Sequence, residues 1–211
     1  EEFVVDAVTE IDWEELEKKN AEIKEIFDNA EEVRIVGEGT DLTLSLANRE
    51  GIPDNGCHNV PSGEVFYAPM KESLEGRVRF SYPGIESGNE VSGIELVFEN
   101  GKIVEYSAEK NEEFLEKMIE TDEGSHYIGE LGIGTNRQID RYIKNTLFDE
   151  KIGGTIHLAI GRAYEKCVPE GKEANESGVH WDLVKDLRPR AGGGKIFVDG
   201  ELVQEDGEWV F

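Results

Sequence analysis

The sequence predicts an α+β fold built on a curved or barrel-like, mostly antiparallel sheet with a few flanking helices. Three observations carry this expectation. Short runs rich in β-branched and aromatic residues recur between glycine turns, few stretches show helical periodicity, and the turn dipeptides are of the hairpin kind. Residues 12–30, DWEELEKKNAEIKEIFDNA, read as an amphipathic helix, because Trp13, Leu16, Ile23, Ile26 and Phe27 fall near one face. EEVRIVGEG and DLTLSLA follow as two strands around a glycine turn, the second alternating apolar and polar. RVRFSYPG, GIELVFENGKIVEYSA and GGTIHLAIG read as further strands, and Asn100-Gly101 suits a type I′ turn. Residues 109–121 and 136–148 read as helices. The C-terminal KIFVDGELVQEDGEWVF reads as a hairpin turned at Asp199-Gly200, with a further turn at Asp206-Gly207. No repeat or low-complexity segment interrupts this order.

The 211 residues suffice for one large domain or two small ones, and a hydrophobic content of 37% supports a core. The net charge of −25, from 47 acidic against 22 basic residues, repels nucleic acid and anionic membranes. The acids are scattered along the chain, which marks a solvated surface and suggests a halophilic, high-salt cytoplasm where salt screens the self-repulsion. That reading predicts a melting temperature that climbs from low to molar salt; a melt indifferent to salt would remove it. The sequence has neither a signal-peptide pattern nor an apolar run of about 18 residues, so a soluble cytoplasmic protein is expected.

Several chemistries lack their residues. Cys57 and Cys167 form no CxxC pair, which argues against a zinc ribbon or a thioredoxin-like site. GxSxG and HExxH are absent. The glycine-rich GELGIGTN has no lysine and no GxxxxGK[ST] spacing, which argues against nucleotide binding.

What remains is carboxylate and imidazole chemistry. In NESGVHWDLV, His180 and Asp182 stand two positions apart, so in a strand both aim to one side, as a pair of metal ligands would. A chance pair on a surface loop, or an aspartate orienting a buried histidine, is the plainer alternative. His157 lies inside the apolar GGTIHLAIG, where a histidine is more often a hydrogen-bonded core residue, and burying it is costly unless it is paired. Tyr164 in GRAYEKC reads as a packing residue. Glu64 in NVPSGEVFYAP and Glu130 in HYIGELGIGTN are acids in glycine-bearing turns, and a surface position is the plain reading of both. Oxygen and imidazole donors together suit zinc, cobalt, manganese or magnesium.

GEGTDLTLSL, NVPSGEVFYAP, GELGIGTN, LFDEKIGGTIHLAIGRAY and SGVHWDLV, in this order and across most of the chain, resemble the thermophilic aminopeptidase family, the aminopeptidase T and aminopeptidase S type of metallopeptidase. The tail from Pro189 also looks like that family's C-terminal hairpin. The resemblance implies a dinuclear site holding two divalent metal ions, zinc, cobalt or magnesium, that activate a water. Carried over by motif, the ligands are Glu64, Glu130, His157, His180 and Asp182, with Tyr164 nearby and Glu130 and Tyr164 in catalytic roles. Glu150 is a weaker candidate for the base or for an outer partner. The implied activity is release of N-terminal amino acids from peptides with a free N-terminus, by a homodimer. Family members are longer, with an α/β domain before the catalytic half. The expectation is therefore a connecting helix over residues 1–30 and a catalytic domain over 31–211. The alternatives are a non-catalytic metal-binding or assembly fragment, and an acidic domain whose histidines are all structural.

Overall fold

The computed structural model describes residues 9–56, 59–172 and 174–211. Helix α1, Trp13–Phe27, starts where the Asp12 carboxylate accepts from the backbone N–H groups of Glu14 and Glu15, both at 3.1 Å. Its buried residues Leu16, Asn20, Ile23 and Phe27 repeat at spacings of three and four, and Ile23 and Phe27 join the main core.

Two open antiparallel sheets share that core. The larger has eight strands, built from β1 (Val33–Gly37), β2 (Thr40–Leu44), β5 (Glu75–Arg79), β8 (Glu95–Glu99), β9 (Lys102–Ser107), β13 (Gly194–Val198), β14 (Glu201–Glu205) and β15 (Glu208–Trp209), in the order β15-β14-β13-β1-β2-β5-β8-β9. The smaller has five: β3 (Ile52–Asp54), β4 (Glu64–Tyr67), β10 (Ile128–Gly134), β11 (Thr155–Gly161) and β12 (His180–Asp186), in the order β12-β11-β10-β4-β3. A small hairpin pairs β6 (Gly84–Glu86) with β7 (Asn89–Val91). Ile35, Leu42, Leu96 and Ile196 from the larger sheet meet Val65, Leu131, Leu158, Trp181 and Leu183 from the smaller one in a single apolar cluster. The expected α+β class with mostly antiparallel sheets therefore holds, in two open sheets that share a core and do not close into a barrel. The turns read from sequence also form: Asn100-Gly101, Asp199-Gly200 and Asp206-Gly207 all have positive φ at both positions.

Helix α2, Glu112–Ile119, lies within the expected 109–121. The helix expected over 136–148 does not form; the segment runs through bends and turns, and only the four-residue α3, Thr146–Asp149, is helical. Side chains that compete with helical hydrogen bonding explain the difference. Asn136 Oδ1 accepts from the N–H of Gln138 at 2.9 Å, and Asp149 accepts from those of Ile143 at 2.8 Å and Asn145 at 2.7 Å. The apolar periodicity of the segment instead fills a satellite cluster of Ile139, Phe148 and Ile152 with Tyr82 and Tyr142. Cys167 is a free, buried thiol; Cys57 lies outside the described residues, as does the start of the expected connecting helix, residues 1–8.

The end of β12 is anchored by Asp186, which is fully buried. It accepts from Arg188 Nε and Nη2, both at 2.8 Å, from Arg190 Nε at 3.1 Å and from Tyr82 Oη at 2.6 Å. Burial by itself raises this carboxyl, but the hydrogen bonds from Arg188 and Tyr82 outweigh it and hold the group down at about 2. A carboxyl held below its unfolded value stabilises the fold above that value, and the contribution is lost as pH falls toward 2. Asp186→Asn is expected to cost about 3 kcal/mol in urea unfolding at pH 7, because it leaves a partly buried guanidinium without its partner. The gap to wild type is expected to narrow between about pH 4 and pH 2. A gap that is constant with pH would show that the charge of Asp186 is not what anchors the strand.

Candidate metal centre

The smaller sheet has two different faces, and the site lies on the one turned away from the main core. Val65 and Tyr67 of β4, Leu131 and Ile133 of β10, Ile156, Leu158 and Ile160 of β11, and Trp181 and Leu183 of β12 all join the main cluster. Strand alternation then sends Glu64, Glu130, His157, His180 and Asp182 to the opposite face. The register lines them up: Glu64 pairs with Gly134, Gly132 with His157, Glu130 with Ala159, and Ala159 with Asp182.

Local irregularity makes this alignment possible. Strict alternation would put Ile128 and Glu130 on one face. A register shift between them lets Ile128 stay in the core while Glu130 turns to the site. Gly132 leaves room for the imidazole of His157, since a Cβ there would lie 1.9 Å from the ring's Cε1 and 2.1 Å from Nε2. Gly132 of GELGIGTN thus serves close approach of the site's own imidazole, while Gly129 and Gly134 serve close approach of backbone.

The five predicted ligands converge. His157 Nε2 lies 3.0 Å from Glu130 Oε1, 3.7 Å from Glu64 Oε2 and 4.0 Å from Asp182 Oδ1. His180 Nε2 lies 3.8 Å from Glu130 Oε2 and 3.6 Å from Asp182 Oδ1. Ligand atoms of Glu64, Glu130 and His157 all fall within 4.8 Å of one another. Exposure grades across the site, from 1% for the His157 side chain through 6% for each glutamate and 11% for Asp182 to 26% for His180, so the cluster opens on the His180 side.

The donor set fits a divalent cation. Oε2 of Glu64 and Oε2 of Glu130 are buried without a hydrogen-bond partner, an arrangement that a cation would satisfy. Both histidines turn Nδ1 to a backbone carbonyl, of Glu150 at 3.1 Å for His157 and of Arg162 at 2.8 Å for His180. With the proton on Nδ1, each Nε2 faces the cluster, where a cation would take the place of the proton that His157 Nε2 shares with Glu130. The charge balance agrees. Burial pushes the Glu64 and Asp182 carboxyls up, with repulsion from Glu130 and Glu150 adding to it. Burial disfavours the His157 imidazolium, yet the hydrogen bond to Glu130 and the charges of Glu64 and Asp182 hold its pKa above the ordinary value. The buried carboxylates share the two imidazoles and the Lys151 ammonium beside Glu64, and a divalent cation would add to that positive charge.

Tyr164 stands at the rim. It is 51% exposed, and its ring makes an edge contact with His180 at 5.2 Å between centroids. Burial of the hydroxyl and the nearby carboxylates push it up to about 12, so it is a neutral donor at neutral pH. The carboxylate of Glu150 reaches the cluster indirectly, by pairing with Lys151. Lys151 is the residue that sequence reasoning missed. Its side chain is fully buried, and Nζ lies 3.2 Å from Glu64 Oε1. In a chain with 22 basic residues, nothing in DEKIGG separates it from a solvated lysine.

An antiparallel α+β domain carrying buried carboxylate oxygens and imidazole nitrogens on one sheet face defines the class: a protein built to hold divalent metal through oxygen and nitrogen ligands. The chain belongs to the thermophilic metalloprotease (M29) family, whose model matches residues 5–209. It is 36% identical over 199 residues to aminopeptidase AmpS of Bacillus subtilis (strain 168), covering 82% of this chain and 48% of that protein. It is 39% identical over 197 residues to aminopeptidase T of Thermus aquaticus, covering 82% of this chain and 45% of that protein. The chain thus spans about half the length of the curated relatives it matches. Among solved structures it resembles wild-type AmpT from Thermus thermophilus, with a TM-score of 0.82, 29% identity, and coverage of 100% of this chain and 58% of that one. A 2,5-dihydroxypyridine dioxygenase from Pseudomonas putida KT2440 shares the fold alone, at a TM-score of 0.73 and 16% identity.

Proposed function

We propose that this chain is the catalytic part of a metal-dependent aminopeptidase, with residues 31–211 as the catalytic domain, releasing N-terminal amino acids from peptides at a dinuclear centre. The observation that carries the reading is Glu130, whose two oxygens face two different imidazoles, Oε1 toward His157 and Oε2 toward His180. A carboxylate so oriented suits a bridge between two ligand sets, Glu64 with His157 on one side and His180 with Asp182 on the other. Membership of a metalloprotease family and the aminopeptidase names of its relatives support the same reading. The expected homodimer and cytoplasmic location belong to it too.

Two divalent cations, zinc, cobalt or magnesium, when bound would supply an acidified water and a Lewis acid for the scissile carbonyl. The chain's own groups then divide the work. The backbone carbonyls of Glu150 and Arg162 fix the tautomers of His157 and His180. If Glu130 ligates through one oxygen only, it accepts a proton from the attacking water and returns it to the leaving amine; if both of its oxygens ligate, Glu150 is the base. Tyr164, neutral and open to the rim, donates to the oxygen on which negative charge develops. The open side next to His180 admits the peptide's first residue, whose neutral amine anchors the carbonyl within reach.

A free leucyl-peptide is therefore expected to be cleaved by the metal-loaded protein, and its N-acetyl form is not. Chelator should abolish the activity, and cobalt or zinc should restore it. Equal cleavage of the two peptides would sink the aminopeptidase reading in favour of an endopeptidase or amidase. Two bound metals with no cleavage of either would favour the second reading, a metal-binding or assembly fragment. That alternative rests on the chain's spanning only about half of its relatives.

A further inference from the structure

We propose that Lys151 is a positioning residue for this centre: its ammonium occupies Oε1 of Glu64, so that Glu64 presents a single oxygen, Oε2, to the ligand cluster. The inference rests on the metal-site reading given above and adds to it a residue outside the ligand set. Lys151 Nζ lies 3.2 Å from Glu64 Oε1 and also pairs with the Glu150 carboxylate, while Glu64 Oε2 points to His157 Nε2 at 3.7 Å and has no hydrogen-bond partner. The two glutamate oxygens are thus given different tasks. The backbone holds the lysine in place: its N–H donates to the carbonyl of Phe148 at 3.1 Å, and its carbonyl accepts from Asn136 at 3.0 Å. The neighbouring Glu150 carbonyl accepts from His157 Nδ1. One dipeptide, Glu150-Lys151, therefore orients an imidazole through its backbone and a carboxylate through its side chain.

A simpler role competes with this one. A fully buried ammonium beside buried acids could serve only as a counter-ion. The two roles predict opposite signs for metal binding. A pure counter-ion repels incoming cations, so Lys151→Met would bind cobalt more tightly, and Lys151→Arg, which keeps the charge, would bind it as wild type does. A positioning residue predicts weaker binding in both, by about 10- to 100-fold, as is typical when the partner that orients a ligand is lost. It also predicts a changed visible absorption spectrum of bound Co(II), because Glu64 is freed to chelate with both oxygens or to turn away. Arginine does not rescue, since its planar fork cannot occupy the point at which the lysine meets two carboxylates.

The experiment is a competitive Co(II) titration of the 211-residue chain and of both variants, with the absorption spectrum recorded at saturation. Weaker binding with an altered spectrum supports the proposal. Wild-type or tighter binding with an unchanged spectrum overturns it and leaves the metal site intact. Failure of the wild-type chain to bind Co(II) removes the metal-site reading and this inference together. If Lys151→Met does not fold, Lys151→Arg decides by the same two readouts.

Discussion

Glu130→Gln is expected to reduce hydrolysis of an aminoacyl-anilide on the order of 10³-fold at saturating metal, while leaving the fold intact. Glutamine matches glutamate in volume, so the packed, 4% exposed position on β10 is not disturbed. What changes is charge and donor type. Oε1, 3.0 Å from His157 Nε2, and Oε2, 3.8 Å from His180 Nε2, become one weak oxygen donor and one amide nitrogen that cannot ligate. The variant therefore loses the group that addresses both imidazoles and, if only one of its oxygens ligates, the proton acceptor. Elemental analysis should show metal content reduced along with the rate, and the far-ultraviolet circular dichroism should match wild type. Near wild-type turnover with full metal content would remove Glu130 from both roles.

Gly132→Ala is expected to lose at least about 10-fold in metal affinity, and activity with it, although it adds only one methyl group and removes no ligand. The new Cβ would lie 1.9 Å from Cε1 of the His157 ring and 2.6 Å from Nδ1, inside any permitted contact. The ring cannot swing aside. It is 1% exposed, held at Nδ1 by the Glu150 carbonyl and at Nε2 by Glu130. Either the imidazole is expelled or β10 separates from β11, and both outcomes misplace a ligand. Gly200→Ala is the control, because nothing lies within 4 Å of a Cβ at that turn; its positive φ should lower the melting temperature slightly and spare the metal. Equal metal affinity in Gly132→Ala and wild type would show that the His157 ring position is not needed for binding.

The legible parts of this protein were those written in local order. Helix α1 was legible from Trp13 to Phe27 because its apolar spacing is a short-range signal, and the structure adds the Asp12 cap at its start. The three turns at Asn100, Asp199 and Asp206 were legible because a left-handed pair of residues demands Asn-Gly or Asp-Gly whatever surrounds it. The pairing of His180 with Asp182 was legible for the same reason: a strand puts alternate residues on one side. The segment 136–148 misled because its apolar periodicity was real but served a satellite cluster, while Asn136 and Asp149 took the backbone hydrogen bonds that a helix would have needed.

The site itself was legible only as separate residues with plain alternatives, until resemblance to a family joined them. Glu64 and Glu130 had no local mark to distinguish them from the other acids among 47. By itself the sequence determined the α+β class, the hairpin turns, the acidic surface and the inventory of imidazole and carboxylate groups available for chemistry. These follow from composition and from periodicities of two and 3.6 residues, which act over a few neighbours. The tertiary structure alone decided which of those groups meet. It turned Glu130 away from Ile128 through a one-residue bulge, reserved the space over Gly132 for His157, and buried Lys151 against Glu64. The reason is physical: strand register and burial are set by contacts between segments distant in the chain, and the electrostatic meaning of a side chain depends on the dielectric and on the partners those contacts supply.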